Sequence, residues 1–159
     1  MAKSNWVEKL EAKDKKLPEI KVVKDKGMER WGVSVGETFV IPHPKDVYEA
    51  MGKVSKGKLV TTAEIREYLA KKHKAKIACP LTTGIFAWIS ANAVCERKEM
   101  GQNDPTPYWR TLKTNGEINP KYPGGIEDQK KLLQSEGHKI LEKGKKFFVV
   151  DYQNCLEKL

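Results

Sequence analysis

The chain is short of cysteine and histidine, has no long apolar run, and carries too few acidic residues to balance its bases. Cys79, Cys95 and Cys155 stand far apart, without CxxC spacing, and do not cluster with His43, His73 or His138. Neither a disulfide framework nor a structural metal is expected, and the usage fits a reduced, cytoplasmic protein. No apolar stretch approaches the roughly 20 residues of a membrane helix. The opening MAKSNWVEKLEAKDKK has no apolar signal core, so secretion is not expected either. Nothing in the pattern calls for a cofactor.

What is present in excess is positive charge. Thirty Lys and Arg stand against 21 Asp and Glu, a formal charge of +9 over 159 residues. The excess is uneven. From Lys53 to Lys76 run Lys53, Lys56, Lys58, Arg66, Lys71, Lys72, Lys74 and Lys76, against only Glu64 and Glu67. A field of one sign attracts polyanions and speeds their encounter, so nucleic acid is the first partner to consider. The alternative is a solvated lysine-rich face.

Hydrophobic content of 39% and charged content of 32% fit a globular chain with a heavily solvated surface. Residues 1–42 read as an N-terminal extension that packs on the core or stays partly loose. In it, Trp6, Val7 and Leu10 fit a short amphipathic helix, and 38–41 a short strand ended by Pro42 and Pro44. The remainder, 43–159, reads as one domain. Val47, Met51 and Val54 share a helical face, and Thr61–Thr62 cap a helix through Glu64, Ile65, Tyr68 and Leu69. Pro80 and Thr82–Thr83 open a helix to about Glu96, with Ile85, Trp88 and Ile89 on one repeating face. A fourth helix runs from 128 to 135 with Leu132 and Leu133 buried, and 138–151 reads as a hairpin around Lys143–Gly144. Mainly helical structure followed by a basic hairpin is the plan of a winged helix-turn-helix. In that plan one helix enters the major groove while the wing and other helix ends meet phosphate.

The stretch PYWRTLKTNGEINPKYPGGIEDQKKLLQSEG, 107–137, is the most specific in the chain. It holds Pro107-Tyr108-Trp109-Arg110, then Gly116, Tyr122-Pro-Gly-Gly, and a Leu-Leu-x-x-Glu136-Gly137 helix end. This order resembles the C-terminal DNA-binding domain of the O6-alkylguanine-DNA alkyltransferases. The likeness extends upstream through VYEAMGKVSKGKLVTTAEI, where Val47, Gly57, Thr61, Glu64 and Ile65 fit, and covers about 44–137.

The resemblance implies a winged-helix fold and duplex DNA, intact or alkylated, as the partner of a monomer, with a repair protein as a further partner. In that family a cysteine accepts the alkyl group, activated by a histidine that a glutamate orients. Glu136 matches the glutamate, but Tyr108 and Trp109 replace the cysteine and histidine. A phenol, with a reference pKa of about 10, is a poor substitute for a thiol of about 8.5. The implied protein is a non-catalytic, alkyltransferase-like member. The family's helix arginine and phosphate-rotating tyrosine fall at Gly84 and Thr62, which puts base flipping in doubt.

The resemblance thus nominates Thr62, Thr82, Thr83, Gly84, Lys56, Lys58, Arg110, Lys143 and Lys145 for DNA contact. It nominates Tyr108, Trp109, Tyr122, Gly124, Gly125 and Glu136 for the base pocket. Tyr108 and Trp109 either stack on an extruded base or fill the cavity that the family leaves open. Arg110 either braces its loop or meets a phosphate, and Trp88 is either a wedge or a core residue. Two other functions stay open: an alkyltransferase using Cys79, and a winged helix that docks a protein.

Overall fold

A computed structural model describes residues 5–13 and 16–159. Its backbone is mainly helical, with three small sheets, more than the hairpin and the 38–41 strand that the residues predict. Helix α1 (Trp6–Glu11) presents Leu10 to the molecule, and β1 (Glu19–Val22) pairs antiparallel with β2 (Thr38–Ile41), Glu19 opposite Ile41. Between these strands lies a 3-10 turn, Lys26–Trp31, started by Asp25, whose carboxylate accepts the Gly27 amide at 2.8 Å.

Helix α2 (Pro44–Gly52) begins where sequence logic puts it. Pro44 supplies a pre-set φ at the first helical position, and His43 Nδ1 accepts the Lys45 amide at 3.0 Å. Strand β3 (Val60–Thr61) leads straight into α3 (Thr62–Lys72) through a capping box. Thr61 Oγ1 accepts the Ala63 amide, and Glu64 Oε1 accepts the Thr61 amide at 2.7 Å. The basic connector after α3 contains β4 (Ile77–Ala78), which joins β2 in parallel and closes the three-stranded sheet.

Helix α4 (Pro80–Glu99) is the spine. The expected face of Ile85, Trp88 and Ile89 is corrected here: Ile85 is 49% exposed. The helix is instead buried along small residues. Ala87, Ala91 and Val94 join the main core with Val47, Met51, Ile65 and Leu69, while Ile89 and Ala93 receive Leu10 of α1. Alanine lets helices approach closely, so the core stripe is quieter in hydrophobicity than the stripe that faces out. Trp6 meets Trp88 edge-on at 4.7 Å and helps seat α1.

After α4, loop 101–107 is tied back by polar contacts. Arg97 Nη1 and the Tyr48 hydroxyl both donate to Asp104 Oδ2 at 2.7 Å, and Arg97 Nη2 reaches Glu11 of α1 at 2.7 Å. Burial would push the Asp104 carboxyl up, but hydrogen bonds from Thr106, Tyr48 and Arg97 outweigh it and bring its pKa to about 2. A 3-10 turn, Tyr108–Arg110, then runs into β5 (Thr111–Leu112), which pairs in parallel with β3, Val60 opposite Thr111.

Helix α5 (Gly125–Ser135) buries Leu133 against Leu59, Leu112, Ile118 and Val149, a second core cluster, with Leu132 only half-buried. Strands β6 (Ile140–Lys143) and β7 (Lys146–Val149) form the expected hairpin, turning at Gly144 with φ of 65°. The hairpin is fastened to the loop before α5, since the Ile118 amide donates to the Phe147 carbonyl at 2.8 Å. Among the described residues, no helix is long and apolar enough to cross a membrane, and no cluster of His, Cys, Asp and Glu could hold a metal.

Candidate nucleic-acid interface

The site is built where three segments meet: the start of α3, the first two turns of α4, and the loop 113–121. Thr62 opens α3, and its hydroxyl lies 3.5 Å from that of Thr114. The neighbouring Lys113 lines a cleft of about 330 Å³ with Pro80, Leu81, Gly84, Ile85 and Trp88 of α4 and with Asn119, Pro120 and Lys121 of the loop. Thr62 and the cleft that Gly84 lines thus meet the loop at adjacent residues, Thr114 and Lys113. The loop is held rigidly. Fully buried Gln129 accepts the Asn119 amide at 3.0 Å and donates to the Trp109 carbonyl at 3.1 Å. Trp88 Nε1 donates to the Lys121 carbonyl at 3.1 Å, so this tryptophan braces the loop and is not free to project. The first turn of α4 has no side-chain cap at Cys79.

The other nominated contact residues are spread more widely. Lys56 and Lys58 are exposed on the turn before β3, and Lys143 and Lys145 at the hairpin tip. Thr83 is fully buried behind the face, and the Thr82 hydroxyl is covered as well. Part of the basic run from Lys53 to Lys76 is spent internally. Lys72 pairs with Asp46 at 2.9 Å, Lys76 lies 3.8 Å from Glu37, and Lys53 sits over the Tyr68 ring.

Arg110 also turns inward. Its Nε donates to Glu136 Oε1 at 2.8 Å and its Nη1 to the Val54 carbonyl at 2.7 Å. Trp109 Nε1 donates to the same Glu136 oxygen at 3.2 Å. The Arg110 hydrogen bonds, assisted by Trp109, hold the Glu136 carboxyl below the usual carboxylate range.

The nominated base pocket is an interlocked aromatic cluster. Tyr108 meets Trp109 edge-on at 5.4 Å and Tyr122 edge-on at 5.8 Å, and Tyr108 and Tyr122 are only 6% and 3% exposed. Burial pushes both phenols well up, which keeps them neutral. Burial pushes the thiol of Cys95 in α4 up too, the opposite of what a reactive thiolate needs. Gly124 and Gly125 form the turn into α5 at φ of 77° and 67°.

The fold is similar to that of S. pombe Atl1. The crystal structure of that alkyltransferase-like protein in complex with damaged DNA containing O6-carboxymethylguanine matches at a TM-score of 0.51 and 20% identity, over 73% of this chain and 94% of that one. A second structure of the S. pombe protein, also in complex with DNA, matches at 0.45 and 20% identity over the same shares. At this identity the likeness is one of fold. No family model matches the chain, and no curated protein sequence matches it.

Sequence reasoning missed Leu81, Lys113, Asn119 and Lys121 as residues of this face, and took Ile85 for core. No periodic signal marks them. Their shared feature, a cleft between two segments some 30 residues apart, exists only once α4 and the loop are docked.

Proposed function

We propose that this protein is a non-catalytic, alkyltransferase-like binder of duplex DNA that recognises alkylated or otherwise damaged bases for repair. The reading rests on one observation above the others: on a fold similar to that of a protein crystallised with damaged DNA, the acceptor-cysteine position holds a neutral, buried Tyr108. A phenol that stays protonated is no nucleophile. The glutamate that would orient an activating base is already held by Arg110 and Trp109. What remains is a binding surface. In this reading α3 and α4 are the helix-turn-helix and the β6–β7 hairpin is the wing. Thr62, Gly84, Lys113 and Lys121 face the duplex, and Lys56, Lys58, Lys143 and Lys145 supply outlying phosphate contacts. Thr83 and Arg110 support the face from behind.

The test is a titration of an intact duplex, an O6-alkylguanine duplex and a single strand at several salt concentrations. Engagement of about five phosphates makes log affinity fall with log salt at a slope near −4 to −5. The alkylated duplex binds tightest. A slope shallower than about −2, or equal affinity for a neutral polymer, overturns the reading.

A further inference from the structure

The outward stripe of α4 lacks the chemistry of a base reader. A helix that reads the major groove offers arginine, asparagine, glutamine or acids to the base edges. Here the positions one turn apart on the open face are Leu81, Gly84, Ile85 and Trp88. Leu81 is 62% and Ile85 49% exposed, the former being the most exposed of the large apolar side chains described. Single exposed apolar residues are common and mean little. Two of them on successive turns at the lip of a cleft are a different matter.

Gly84 sharpens the point. A Cβ built there meets nothing within 4 Å, and its φ is not in the left-handed region. The fold does not need glycine at this position, and in a helix interior glycine costs about 1 kcal/mol relative to alanine. Its effect is to lower the helix surface between Leu81 and Ile85, so that a flat object can come close to the backbone. Facing this notch, Lys113 and Lys121 rise from the loop that Gln129 and Trp88 hold in place.

We propose that Leu81 and Ile85 form an apolar wedge that enters between two stacked base pairs, with Lys113 and Lys121 on the phosphates alongside. The proposal rests on the DNA-binding reading above and goes beyond it by stating how the duplex is opened. Apolar side chains that enter a base step act from the minor groove, part the stack and kink the duplex by about 20–90°. Aliphatic surface is satisfied by base faces, and lysines by the phosphates that flank them. A hydrophobic peptide fits the two aliphatic side chains equally well but leaves Lys121 without a counter-charge and Lys113 with only Glu117 at 3.8 Å, which is why the duplex is the occupant assigned here. The wedge does the work of parting bases at a helix with no projecting polar finger.

The experiment uses the full chain and a duplex labelled at its ends for energy transfer, with a 2-aminopurine at the central step to report unstacking. The wild-type protein is expected to bring the ends closer and brighten the 2-aminopurine. Leu81→Ala/Ile85→Ala, both at exposed helical positions where alanine favours the helix, should abolish both signals. That variant should also weaken binding by about ten- to a hundredfold, the worth of burying one large aliphatic side chain, while the salt slope stays unchanged. Lys113→Ala/Lys121→Ala should do the reverse, lowering the salt slope by about 2 while leaving the kink intact at saturating protein. Circular dichroism of both variants should match wild type. If the wild type binds duplex but neither bends nor unstacks it, or if the alanine pair keeps both signals, the wedge is overturned and the binding reading stands. If the wild type does not bind duplex at all, both fall together.

Discussion

Arg110 clasps Glu136 with its Nε at 2.8 Å while its Nη1 holds the Val54 carbonyl at 2.7 Å, so one side chain ties the turn after α2 to the end of α5. The carboxylate is 6% exposed and the guanidinium 13%. Removing one member of such a pair strands the other charge away from water. Arg110→Ala should therefore cost about 3–5 kcal/mol of stability, read by urea denaturation. At a temperature where the variant is folded, its salt slope for DNA should equal that of the wild type. A variant of unchanged stability whose slope drops by about 1 would make Arg110 a phosphate contact instead.

The neutral state of Tyr108 and the raised Cys95 thiol bear on chemistry. Incubation with a duplex containing O6-methylguanine should leave the intact mass of the protein unchanged, because no nucleophile in the cluster is ionised near neutral pH. Mass spectrometry of the whole chain checks this. A gain of one methyl group, lost on Cys79→Ser, would restore the alkyltransferase reading.

Much of the frame is legible in the residues, and what is not legible has a physical cause. Thr61 with Glu64, and Pro44 and Pro80 at helix starts, are local signals, because caps act within a few residues of themselves. The hairpin turn at Gly144 is local in the same sense. Strands β3, β4 and β5 are two residues each and exist only because a partner distant in sequence pairs with them. No period can be read from two residues. The Arg97, Asp104, Tyr48 and Glu11 network likewise joins four elements, and nothing near Arg97 in sequence announces it.

At the site, the aromatic replacement at Tyr108 and Trp109 could be set out from the motif alone, whereas the hold of Arg110 and Trp109 on Glu136 could not. The direction Leu81 and Ile85 face could not. A leucine in a helix is taken for core unless the packing of its neighbours is known, and here Ala87 and Ala91 occupy the inward side.

The Asp104 network gives a pH dependence with a definite sign. Its folded pKa of about 2 lies below the ordinary aspartate value. The carboxylate thus contributes stability that is fully present above about pH 4 and is lost as the pH falls through about 2, roughly 2 kcal/mol in all. Asp104→Asn should be less stable at neutral pH and should show a flatter acid limb in the dependence of unfolding free energy on pH. An acid limb of unchanged steepness would mean that the loop 101–107 is held by other contacts.

The loop that carries Lys113 depends on a glycine. Gly116 has φ of 79°, and a Cβ there would come within 2.3 Å of the Tyr152 ring. Tyr152 packs, half-buried, on the second core cluster with Leu112 and Ile118, so yielding would cost the ring those contacts. Gly144 at the hairpin turn, with φ of 65°, has nothing within 4 Å of a Cβ. The two positions separate strain from collision. Gly144→Ala should cost about 1 kcal/mol, the price of a left-handed conformation alone. Gly116→Ala should cost about 3 kcal/mol, since overpacking adds to the same strain. Thermal unfolding of the two variants measures the difference. Because Gly116 also donates its amide to the Lys113 carbonyl at 3.1 Å, the Gly116 variant should weaken duplex binding where the Gly144 variant does not. Equal losses of stability in the two would show that Tyr152 moves aside, and the loop would then be softer than its hydrogen bonds to Gln129 and Trp88 require.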